Sequence, residues 1–84
     1  MDLKTLKENL ALYNVPERWY SIDDGLKPGA CIIYKNYAIW ECFYLDEKGN
    51  RNMYSVCKTD EDAYDWLWDK MKMNLKYRKS PPKR

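Results

Sequence analysis

The sequence predicts an α+β domain: an N-terminal helix, a three- or four-stranded antiparallel meander, and a C-terminal helix packed on one face of the sheet. Three observations carry this expectation. Leu3, Leu6, Leu10 and Tyr13 recur at helical spacing near the start. Two runs rich in β-branched and aromatic residues, 30–34 and 38–45, lie close enough for a hairpin. Thr59-Asp60-Glu61-Asp62 then opens a second helical pattern through Ala63, Leu67 and Met71.

The first helix is expected over residues 3–13. Asp2 can cap it by accepting from a first-turn amide, and Asn14-Val15-Pro16 ends it because the residue before proline resists helical geometry. Residues 18–22 read as a short strand or extended link, followed by the turn clusters Asp23-Asp24-Gly25 and Lys27-Pro28-Gly29. With Asn36-Tyr37 as a two-residue loop, the next two strands pair so that Tyr34 faces Ile39, Ile33 faces Trp40 and Cys31 faces Cys42. A three-residue loop, Glu47-Lys48-Gly49, closes the following hairpin with Gly49 in the left-handed conformation, which sets Phe43 opposite Met53 and Trp40 opposite Val56.

Alternation along these strands separates two faces. One collects Ile33, Trp40, Cys42, Tyr44, Tyr54 and Val56; the other collects Ile32, Tyr34, Ile39, Glu41, Phe43, Met53, Ser55 and Cys57. Glu41 and Ser55 make the second face wetter, so the helices belong on the Trp40 face, and a bulge would reverse part of this assignment. On the second helix, Ala63, Tyr64, Leu67, Trp68, Met71 and Leu75 share a core-facing arc, while Trp66, Met73 and Tyr77 lie nearly opposite.

Eighty-four residues make one domain, read as residues 1–75 with a basic, disordered tail at 76–84. The start of the chain lacks a signal-peptide pattern and no apolar run is long enough to span a bilayer, so a cytoplasmic protein is expected. Net charge of +2 hides a division: residues 1–69 hold 13 acidic and 8 basic groups, a net −5, whereas residues 70–84 hold 7 basic groups and no acidic one. Such a body attracts a basic partner and such a tail an anionic one.

Catalysis is not expected. The chain has no histidine, so proton transfer near neutral pH would need a strongly shifted carboxylate, lysine or cysteine. Its three cysteines fall in strand patterns without metal-ligand spacing, and its three glycines are scattered among separate turns rather than gathered in a phosphate loop. No cofactor and no metal is expected. The facing pair Cys31 and Cys42 leaves a redox accessory role conceivable, disfavoured in a reducing compartment.

The run Trp40-Glu41-x-x-Tyr44, then Glu47-Lys48-Gly49, then a strand ending at Thr59-Asp60-Glu61 with Ala63 and Leu67 beyond, resembles small immunity proteins of bacterial polymorphic and contact-dependent toxin systems. The likeness covers about residues 20–71, with Lys48 where that pattern has Arg. It implies a bacterial protein that binds one cognate toxin domain, such as a nuclease with a positive cleft, and performs no catalysis. Charge complementarity to such a cleft selects Asp23, Asp24, Glu41, Asp46 and Glu47, with Tyr37 and Trp66 as aromatic anchors. The alternative is a small nucleic-acid-associated or phage-type regulatory protein acting through the basic tail, which the acidic body opposes.

Overall fold

The structure is a computed structural model, describing the backbone of residues 1–79 and the side chains of residues 1–76. Helix α1 (Leu3–Leu12) leads through a single 3-10 turn (Glu17–Trp19) into β1 (Tyr20–Ile22), β2 (Ala30–Asn36), β3 (Ile39–Leu45), β4 (Arg51–Cys57) and helix α2 (Asp60–Lys79). The four strands form one sheet in the order β1-β2-β3-β4. β2, β3 and β4 make the expected meander, and β1 adds to its edge parallel to β2, so the sheet is mixed.

Each helix begins where its capping residue dictates. Asp2 accepts from the Thr5 backbone N–H at 2.8 Å, and Thr59 Oγ1 accepts from the Asp62 N–H at 3.0 Å. The end of α1 is more specific than a proline stop. Asn14 sits at φ 55°, the Asn14 N–H donates to Ala11 and the Val15 N–H to Leu10, closing a Schellman cap in which buried Leu10 and Val15 are the two ends of the outer hydrogen bond. Helix α2 continues to Lys79, past the domain boundary expected at residue 75; the rest of the basic tail, residues 80–84, lies outside the described residues.

Both helices cover the same face of the sheet. Leu6 and Leu10 of α1 and Ala63, Leu67 and Met71 of α2 join Ile33, Trp40 and Cys42 in the main core. The arc expected on α2 is therefore the buried one. Asp60 ties the start of α2 to the sheet by accepting from Trp40 Nε1 at 2.8 Å and pairing with Lys35 Nζ at 3.3 Å.

Two registers differ from expectation. The β2–β3 loop is Tyr37-Ala38, not Asn36-Tyr37, because Asn36 pairs with Ile39 and donates its side-chain amide to Glu41 Oε2 at 2.8 Å. Tyr34 therefore faces Glu41, Ile33 faces Cys42, and Cys31 faces Tyr44 rather than Cys42. A slip of two residues leaves every side chain on its expected face. The thiol of Cys42 instead lies 3.5 Å from that of Cys57.

The second difference changes the surface. Leu45↔Arg51 and Tyr44↔Asn52 follow the expected pairing, but beyond them the partners are Cys42↔Ser55, Glu41↔Val56 and Trp40↔Cys57. One extra residue is accommodated at Met53, whose φ is 57°. That single-residue offset turns Cys57 toward the core and moves Tyr54 and Val56, expected beside Trp40, to the helix-free face.

Candidate functional site

The helix-free face is the feature that most needs a functional account. Among the described residues no helix covers it, yet Ile32 and Phe43 at its centre are fully buried and form a small second core with Ala30 and Leu45. Their cover is a single layer of long side chains. The Tyr34 ring meets Phe43 edge-on at 6.2 Å, the Tyr54 ring stacks on it at 6.2 Å, and the Arg51 guanidinium lies 4.6 Å from its centroid. Around this layer Leu26, Tyr54 and Val56 are about half exposed and Ile39 about a third. A hollow of about 300 Å³ opens beside it, lined by Asp23, Gly25, Leu26, Tyr34 and Arg51.

Glu41 is the electrostatic centre of the face. Its carboxylate accepts from Asn36 Nδ2 and from the Tyr54 hydroxyl, each at 2.8 Å, and Arg51 stands 3.9 Å away. Hydrogen bonds from Asn36, Tyr54 and Tyr34, with the positive charge of Arg51, hold its carboxyl below the usual range. A group whose folded pKa is lowered contributes stability above its unfolded pKa, and that contribution disappears as pH falls through the folded value. Asp2, Asp46 and Asp60 are lowered in the same direction by their own hydrogen bonds. The melting temperature should therefore hold near neutral pH and decline on acidification through the carboxylate range. Replacing Glu41 with glutamine should shrink that decline, and an unchanged decline across a pH 7 to 3 melting series would remove the network from the account.

The residues selected from sequence do not gather on one surface. Asp23 is exposed at the margin of the helix-free face, with its Oδ1 accepting from the Lys35 N–H at 3.3 Å, whereas exposed Asp24 lines a separate hollow with Lys7 of α1, Glu17 and Lys27. Glu41 lies within that face but is almost fully buried, so it organises neighbours instead of presenting a free charge. Asp46 is likewise engaged, accepting from the backbone N–H groups of Lys48 and Asn50 and from Asn52 Nδ2. Glu47 is exposed on the same turn, at the far end of β3 from Tyr37, about 20 Å away at roughly 3.3 Å per residue. Tyr37 is 96% exposed at the opposite hairpin, held at φ 60°, a conformation that bulky side chains resist. Trp66 belongs to the helix side, partly buried against the main core with Lys70 Nζ 5.3 Å from its ring.

Leu26, Tyr54 and Val56 complete the face and were not selected from sequence. Tyr54 and Val56 reach this face through the bulge at Met53, which carries no glycine to announce it, and Leu26 reaches it from the turn after β1. The carboxylates of Glu61 and Asp62 were assigned only to capping, yet they are exposed at the start of α2, adjoining Asp60, which pairs with Lys35 of the Tyr37 hairpin.

The fold and this face define a small α+β domain with one covered and one open sheet face, an arrangement suited to contact with a macromolecule. Comparison with family models, with curated proteins and with solved structures produced no match. Among the described residues, no helix is long and apolar enough to cross a membrane.

Proposed function

We propose that the protein is a non-catalytic, immunity-type binding protein that neutralises a cognate bacterial toxin domain in the cytoplasm by direct contact. The observation that carries this reading is the helix-free face, where exposed Leu26, Tyr54 and Val56 surround the Glu41–Tyr54–Asn36 network. Apolar and aromatic groups around a fixed polar centre are the composition of interface cores, with charge left to the rim. Asp23 supplies acidic charge at the rim, and the net −5 of residues 1–69 favours a basic partner such as a nuclease with a positive cleft. Tyr37, exposed at the hairpin tip, is an aromatic anchor of the kind that dominates binding energy.

The test is co-expression with candidate toxin domains taken from the genes flanking the one that encodes this chain. The wild-type protein should restore growth and bind the toxin in vitro. The double variant Leu26→Arg/Val56→Arg should lose about 30-fold or more in affinity, equivalent to roughly 2 kcal/mol, and lose protection while keeping its far-UV spectrum. Leu12→Arg, on α1 and away from the sheet face, should bind as wild type. Full protection by the double variant would displace the proposed surface, and failure of the wild type to protect would overturn the toxin-neutralising reading.

A further inference from the structure

Helix α2 is divided by charge. Residues 60–69 contain five carboxylates and no basic group, and residues 70–79 contain five basic groups and no carboxylate. Lysines in a last turn complement the helix dipole, which accounts for the sign of this end. It does not account for what lies beside it. Helix α1 ends against this half of α2, and there Leu12 is 73% and Tyr13 53% exposed. Tyr13 contacts Trp68 edge-on at 5.4 Å, leaving ring surface toward solvent. Tyr13, Asn14, Lys72, Leu75 and Lys76 line a groove of about 540 Å³ between the two helices.

We infer that this groove binds single-stranded nucleic acid, with a base stacking on Tyr13 and the flanking phosphates pairing with Lys72 and Lys76. A half-exposed aromatic ring, an amide and two ammonium groups in one groove match a base and its two phosphates. The carboxylate nearest in sequence, Asp69, pairs with Lys72 at 3.5 Å on an exposed surface, where a phosphate can displace it. The acidic half of α2 is centred about 15 Å away along the axis, roughly two screening lengths at physiological salt, so it does not cancel the attraction. This site is separate from the sheet face and does not rest on the toxin-neutralising reading.

Fluorescence anisotropy of the full chain with a labelled 20-nucleotide oligothymidine tests it. Binding should be measurable at 50 mM NaCl and weaken about sevenfold by 200 mM, as release of counterions from the two paired phosphates requires. Lys72→Glu/Lys76→Glu should lose about tenfold or more. Tyr13→Leu, which keeps an apolar group against Trp68, should lose about fivefold or more, while Tyr13→Phe stays within about twofold. No binding at 50 mM NaCl would overturn the inference. So would equal binding by Tyr13→Leu and wild type, or equal or tighter binding to vesicles of phosphatidylserine and phosphatidylcholine.

Discussion

Phe43→Ala is expected to destabilise the protein by about 3–5 kcal/mol, the usual cost of truncating a fully buried aromatic side chain. A chain of this length has a total stability of about 4–13 kcal/mol, so the loss is a large fraction of the whole. The effect should be large although no helix covers this residue. Phe43 is the element on which Tyr34, Tyr54 and Arg51 converge, and its loss leaves a cavity beneath a one-residue-thick layer. Phe43→Leu keeps much of the volume and should cost less than half as much. Urea denaturation of the three proteins checks this, and an Ala variant within 1 kcal/mol of wild type, roughly the cost of an ordinary surface change, would mean that the layer collapses onto Ile32 and is plastic.

Trp40→Ala should cost a similar amount, about 3–5 kcal/mol, for a different reason. Trp40 is buried in the main core, meets Tyr64 edge-on at 5.6 Å, and donates to the Asp60 carboxylate at the first turn of α2. It therefore links the centre of the sheet to the place where α2 starts. Trp40→Phe keeps an aromatic ring against Tyr64 and removes the donor with part of the indole volume, so it should lose less stability than the alanine variant. It has a second readout. The Trp40 hydrogen bond is the leading cause of the lowered Asp60 pKa, so the Asp60 carboxyl should titrate closer to the ordinary range in Trp40→Phe, as followed by NMR. An unmoved Asp60 titration would show that Lys35 alone sets its ionisation.

Most of the fold was legible because it rests on local chemistry. Asp2 and Thr59 cap the helices in the expected way, and Gly49 takes positive φ in the expected loop. The arc from Ala63 to Met71 meets the sheet, since helical spacing leaves one face to bury. The β2–β3 register was misread by two residues for an instructive reason. Asn36 is a residue that tolerates a left-handed turn, but its amide is used by Glu41 across the pair, and Tyr37 takes the strained position instead.

The candidate site was legible only in part. Asp23 and Glu41 share one face, but Asp24 lines a hollow with Lys7 of α1, Glu47 and Asp46 are held at the far end of β3, and Trp66 lies behind the sheet. Residue type selects carboxylates and aromatics without saying which of them are already engaged by a neighbour. Asp46 and Glu41 both proved to be engaged, through hydrogen bonds that link residues from separate parts of the chain.

Capping chemistry, periodicity and charge order along the chain determined the helices, the meander, the covered face and the polarity of α2, because each depends on residues a few positions apart. The tertiary structure alone decided which aromatic residues face solvent. A one-residue bulge at Met53 costs little locally, yet strand alternation carries its consequence to Tyr54 and Val56, and only the pairing with β3 reveals it.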